Sequence, residues 1–158
     1  VSLYGTTKVP LSLKGDHGKG VRTQFGALCY RTVRGKTQVL LITSRTSRRW
    51  IIPKGWPIKR MAPSETAAVE AWEEAGVRGK VQDICVGLYS YTKYGEGGDS
   101  DVPCVVTVFP MRVKSLSKDY PEHKERKRKW FSPKEAARKV AEPELRRILK
   151  EFDPRQLS

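Results

Sequence analysis

Between residues 55 and 77 the chain reads GWPIKRMAPSETAAVEAWEEAGV, and this segment limits the fold more than any other. Pro53, Gly55, Pro57 and Pro63 punctuate an entry loop that suits neither a helix interior nor a central strand. A helix follows, with Ser64 as its expected cap. It stops at Gly76, placed where the left-handed residue after a helix commonly falls. The helix body is small and apolar (Ala67, Ala68, Val69, Ala71, Trp72, Ala75), fit for burial against a sheet. Glu70, Glu73 and Glu74 interrupt it. At i, i+3 and i+4 they share one face within one turn. No basic residue stands at helical spacing inside the helix, and Arg78 lies beyond Gly76. A like-charge pair four residues apart costs roughly 0.2–0.5 kcal/mol. Such a stripe calls for a cation, and an oxygen-only donor set suits Mg²⁺ or Mn²⁺. A solvated acidic face is the alternative, and most charge runs are that. The fixed loop before the helix and the glycine after it argue for carboxylates held in one place.

The spacing Gly55-x14-Glu70-x2-Glu73-Glu74-x-Gly76-Val77 resembles the Nudix box, G-x5-E-x7-R-E-U-x-E-E-x-G-U with U aliphatic. Met61 stands at the position of the first Glu and Val69 at that of the Arg. VLLITS (39–44), RRWIIPKG (48–55) and RKRKWF (126–131) are similar to segments of the diphosphoinositol polyphosphate phosphohydrolase branch. The resemblance implies an α/β/α sandwich with a mixed β-sheet and hydrolysis of a diphosphate linked to a further group. It implies metal ligation by Glu70, Glu73, Glu74 and the Gly55 carbonyl. It also implies a carboxylate general base, Glu74 before Glu73. The box Arg orients the carboxylate matching Glu73, so Val69 bears on the level of activity rather than on the fold.

The formal charge is +14, from 31 Lys and Arg against 17 Asp and Glu, which points to an anionic ligand. Its distribution is uneven. From His17 to Ser64 there is no acid and there are eleven basic residues. A positive field beside a carboxylate cluster fits a phosphorylated small molecule that bridges a metal. Arg49 and Lys54 flank the box strand. Arg22, Ser44, Arg45 and Arg126 stand where the resembling branch contacts phosphate. Singly each reads as a solvated surface residue; together they offer guanidinium forks for phosphate oxygens. Trp50 and Trp130 are expected to pack within strands, and Trp56 to face substrate. A further carboxylate is sought among Glu96, Asp99, Asp101, Glu122 and Glu125.

At 158 residues the chain can bury one substantial core. Residues 1–20, rich in Gly and Lys, read as an irregular arm with a short strand at 2–4; residues 21–158 read as a single domain. Strands are expected at about 21–33, 37–43, 49–52, 80–91, 102–113 and 128–131, with Arg34-Gly35 as a hairpin turn. Residues 92–101 read as a Gly-rich loop. Ser132-Pro133-Lys134-Glu135 is a capping box that opens a helix, and Pro143 starts another with Leu145, Ile148, Leu149 and Phe152 on one face. The box helix is expected on one face of the sheet and these helices on the other.

Cys29, Cys85 and Cys104 lack metal-site spacing and read as reduced structural thiols, which suits a cytoplasmic protein. No apolar run reaches the length of a membrane span. The reading is therefore a Mg²⁺- or Mn²⁺-dependent hydrolase of a diphosphate linkage in a diphosphoinositol polyphosphate-like or dinucleoside polyphosphate compound. Two alternatives stand beside it. One is a catalytically weakened Nudix-fold binding or regulatory module. The other is a nucleic-acid partner in an RNA 5′-pyrophosphate-processing protein, disfavoured by the absence of an aromatic RNA-binding motif. Oligomeric state is left open.

Overall fold

The computed structural model of the chain describes residues 20–95 and 100–157. Residues 1–19 of the arm, with its expected strand, and the loop acids Glu96 and Asp99 lie outside the described residues. Twelve elements follow in order: β1 (Arg22–Val33), β2 (Lys36–Thr43), β3 (Trp50–Ile51), β4 (Lys54–Gly55), α1 (Pro63–Ala75), β5 (Val77–Val81), β6 (Gly87–Lys93), β7 (Val102–Leu116), β8 (Arg128–Phe131), α2 (Pro133–Lys139), α3 (Pro143–Glu151) and a 3₁₀ turn at Pro154–Gln156.

The period-2 alternation of β1 and β2 divides the core between two faces. Ala27, Cys29, Leu40 and Ile42 point to one side, where Ala67, Ala71 and Ala75 of α1 pack on them. Leu28, Tyr30, Val39 and Leu41 point to the other, against Ala136, Leu145, Leu149 and Phe152. β7 continues the pattern, with Val106 and Val108 on the second side and Phe109 and Met111 on the first. The result is the expected α/β/α sandwich. Its sheet runs β3-β2-β1-β7-β5, with β4 on β1, β6 on β7 and β8 on β2. β1 and β7 are parallel, from Arg22 opposite Cys104 to Tyr30 opposite Arg112, and every other pair is antiparallel. Arg34 and Gly35 both take positive φ, 52° and 75°, which closes the β1–β2 hairpin in its expected place.

Three local expectations change. Ser64 does not cap α1: Ala62 holds the cap position without a side-chain hydrogen bond, Pro63 begins the helix, and Ser64 is buried within it. Pro63 needs no N–H partner at that position, and its fixed φ starts the helix without a polar cap. The expected strand at 80–91 is two strands, β5 and β6, which pair with different stretches of β7. The expected entry loop contains a two-residue strand, β4, paired to Phe25 and Gly26 of β1. At the other end of the chain, Ser132 Oγ accepts from Glu135 N at 3.1 Å, as the capping box requires.

Candidate active site

α1 lies across the sheet with its alanines inward and its three glutamates along one edge. The helix ends at Gly76, whose φ of 67° is left-handed. A Cβ there would come within 2.5 Å of the Tyr120 ring and 2.8 Å of Arg128 Nη1. Arg128 itself donates to the Ala75 carbonyl at 2.7 Å, so a cation satisfies the C-terminal end of the helix.

Gly55 faces Glu70 so closely that a Cβ on it would lie 2.2 Å from the Glu70 carboxyl carbon. β4, pinned to β1, therefore brings the loop backbone directly against the acidic stripe. Burial, above all, pushes Glu70 up to about 8; the Glu74 charge and hydrogen bond, then Glu73 and Glu122, add to it. Glu74 is raised by burial too, opposed by Arg126, Lys54 and the Lys54 N–H. That N–H donates to Glu74 Oε1 at 3.3 Å. Arg126 Nη2 lies 3.7 Å from Glu74 Oε2, both side chains about nine-tenths buried.

Among the described residues, no three His, Cys, Asp or Glu side chains close round a common centre. Glu74 is drawn toward Arg126 and the Lys54 N–H, while Glu70 packs on Gly55. The donor set still fits a hard divalent cation. Burial and the Glu74, Glu73 and Glu122 charges all oppose the ionisation of Glu70, and a backbone with room only for glycine lies against it. A cation in that cradle would relieve the repulsion that burial magnifies.

The expected substrate residues gather at the same end of the sheet, but in different conditions. Lys54 turns its ammonium inward to 4.7 Å over the Tyr91 ring. Burial holds its pKa below the ordinary lysine value, against the pull of Glu74. Ser44 organises the β2–β3 turn: its hydroxyl lies 2.6 Å from that of Ser47 and accepts from Arg49 N at 2.9 Å. Arg45 and Arg49 are about half exposed, in loose ion pairs with Glu125 at 3.8 Å and Glu142 at 3.7 Å. Arg22 lies over Trp56 at 5.2 Å, and Trp56 is exposed. Trp50 packs edge-on against Phe131, and Trp130 lies half-buried beneath Arg31.

Of the further carboxylates, Asp101 accepts from Gly95 N on an exposed loop and Glu125 faces Arg45. Of the described ones, only Glu122 reaches the stripe, where its charge raises both Glu70 and Glu74. Its N–H donates to the Glu73 carbonyl at 3.0 Å. The union of Glu122, Arg126 and Glu74 is the part of the site that sequence reading missed. The i,i+4 spacing of Glu122 and Arg126 was visible, but their approach to α1 needs the pairing of β8 with β2.

This arrangement has a family. A NUDIX domain model matches residues 22–152, and the chain belongs to that family. It is 35% identical over 117 residues to Nudix hydrolase 16, mitochondrial, of Arabidopsis thaliana, covering 72% of this chain and 64% of that protein. To Nudix hydrolase 12, mitochondrial, of the same plant it is 29% identical over 119 residues, 74% of this chain and 59% of the other. This chain thus spans about three-fifths of those relatives' length. Diphosphoinositol polyphosphate phosphohydrolase 3-alpha of Mus musculus is 30% identical over 120 residues, 75% of this chain and 68% of that one. A solved Caenorhabditis elegans Ap4A hydrolase shares the fold at TM-score 0.59 and 20% identity, over 84% of this chain and 96% of the other. A NUDIX hydrolase from Nitrosomonas europaea does so at 0.62 and 18%, over 82% and 86%.

Proposed function

We propose that the chain is a metal-dependent hydrolase of a diphosphate linkage in a highly phosphorylated small molecule, of diphosphoinositol polyphosphate or dinucleoside polyphosphate type. The observation that carries this is the Glu70 carboxylate seated where a Cβ of Gly55 would be. It supports a cation cradle shared by the loop backbone and the acidic stripe. Glu70, Glu73, Glu74 and the Gly55 carbonyl would hold Mg²⁺ or Mn²⁺. That ion, when bound, neutralises phosphate charge and acidifies water. Glu74 then accepts the proton of the attacking water, with Glu73 second in line; burial raises the basicity of Glu74. Arg22, Ser44, Arg45 and Arg49 would orient the phosphates, and the Lys54 ammonium, turned inward over Tyr91, would add positive charge beside Glu74.

Residues 21–158 act as one unit in this reading, and the family match from 22 to 152 supports it. A reducing, cytoplasmic setting fits Cys29, Cys85 and Cys104, none of which is in a disulfide. Among the described residues no helix is long and apolar enough to cross a membrane.

A screen of phosphorylated compounds for Mg²⁺-dependent turnover tests the proposal. Hydrolysis of a diphosphoinositol polyphosphate or dinucleoside polyphosphate is the expected result. Val69, which leaves the stripe without a cation inside its own helix, favours the weakened-module reading. That reading predicts binding of the same compounds without turnover. Affinity that grows with single-strand RNA length, with no small diphosphate cleaved, would favour the RNA reading.

A further inference from the structure

Arg126 stands among the residues expected to contact substrate phosphate, yet its guanidinium is buried and already engaged. Its side chain is 8% exposed. Nε reaches Glu122 Oε1 at 2.9 Å, Nη1 donates to the Thr43 carbonyl at 3.1 Å, and Nη2 faces Glu74 Oε2 at 3.7 Å. All three nitrogens of the guanidinium thus face protein oxygens. Among the described residues it is the only cationic side chain in ion-pair distance of Glu70, Glu73 or Glu74.

The backbone around Arg126 is held from both sides. Lys127 N donates to Thr43 Oγ1 at 2.9 Å, and Thr43 N donates to the Lys127 carbonyl at 3.0 Å. Glu122 N ties the same turn to the Glu73 carbonyl, inside the stripe. The planar guanidinium therefore enters from a fixed mount and keeps a fixed direction toward one Glu74 oxygen, while the Lys54 N–H holds the other. Within α1 nothing does this: the residue a turn before Glu73 is Val69.

We propose that Arg126 is a positioning residue for Glu74, and that Glu122 holds Arg126 in that role. The cation that α1 lacks is delivered across the fold from the turn before β8. The proposal rests on the hydrolase reading for the purpose of the positioning, but the Glu122–Arg126–Glu74 contact stands without it.

The test compares Arg126→Met, Arg126→Lys and Glu122→Gln with the unaltered chain, using diadenosine tetraphosphate and a diphosphoinositol polyphosphate. A positioning role lowers kcat of Arg126→Met by about 10²-fold on both substrates with KM within about twofold, since misplacing one catalytic group costs that much. Arg126→Lys recovers part of the loss, and Glu122→Gln shows a smaller loss of the same kind. If Arg126→Met does not fold, the lysine variant carries the same split. A second arm needs no turnover: binding of inorganic tripolyphosphate to the protein in EDTA. It should be unchanged in Arg126→Met. A rise in KM with kcat retained, or loss of tripolyphosphate binding, would make Arg126 a substrate contact and overturn the proposal. A melting cycle in EDTA between Glu74→Gln and Arg126→Met should be clearly non-additive. If the unaltered chain cleaves neither substrate, the functional reading fails. The melting cycle then decides the contact on its own, and additive losses would sink it.

Discussion

Arg126 and Arg45 each pair with a glutamate of the same short turn, and the pairs behave as opposites. Arg45 meets Glu125 at 3.8 Å with both side chains about half exposed. Arg126 meets Glu122 at 2.9 Å with 8% and 19% exposure, and reaches Glu74 beyond it. An exposed pair of the first kind contributes roughly 0–1 kcal/mol and is screened by salt. Removing one partner of a buried pair costs about 3–5 kcal/mol, because the other charge is left without compensation. Two arginines of two basic segments, alike in sequence, thus sit in opposite surroundings. In the proposal above the buried one positions Glu74, while Arg45 and Arg49, about half exposed in loose ion pairs, present their guanidinium groups to solvent.

The largest effect that would break this division is expected at Gly55. Gly55→Ala places a methyl group where the Glu70 carboxylate now lies, so either the loop or Glu70 must move. Turnover should fall by about 10²-fold or more, as for any displaced catalytic group. Melting temperature should drop as well, measured beside the rate. Unchanged kinetics would show that the contact between loop and stripe is irrelevant to the chemistry. Next in size is the exposed rim. Neutralising Arg45 and Arg49 together should raise KM for a polyphosphorylated substrate by about tenfold, since each lost phosphate contact is charge-assisted. The change in melting temperature should be small. An equal rise in KM for a small diphosphate would place these residues at the cleaved linkage instead.

A smaller effect separates the stripe itself from its cations. In metal-free protein Glu70 is held up at about 8, above its ordinary value of 4.5. The folded state therefore binds that proton more tightly than the unfolded chain. This contribution is whole below about 4.5 and is lost as pH rises through about 8. In EDTA the melting temperature should fall over that window. The fall should be shallower in Glu70→Gln, where that proton is gone and Glu74 still titrates. Parallel pH profiles for the two proteins would mean that Glu70 is not confined as described.

The division between buried and exposed arginines also marks how far sequence can be read here. Alternation in β1 and β2, the Gly-terminated helix and the Ser132–Glu135 cap are local patterns, and each appears where expected. The start of α1 was misread because Pro63 can open a helix without a polar cap, so Ser64 was free to be buried. The carboxylate stripe was visible from helical spacing alone. Its partner was not. Glu74 and Arg126 are 52 positions apart and meet only because β8 pairs with β2, which carries the turn at 122–127 over the end of α1. Nor does a basic segment show which of its arginines will be buried, because that depends on which acceptors the fold leaves beneath each one.

The stripe on α1 is proposed to perform metal-dependent hydrolysis of a diphosphate linkage. Steady-state turnover of a diphosphoinositol polyphosphate with Mg²⁺, for the unaltered chain, Glu73→Gln and Glu74→Gln, tests it most directly. Melting in EDTA is recorded in parallel. Both variants should lose about 10²–10⁴-fold in kcat, the range expected on removing an acid–base group. Glu73→Gln should melt at or above the unaltered temperature, because a repelling charge is gone. Mg²⁺-dependent turnover at the unaltered rate in both variants would contradict the account.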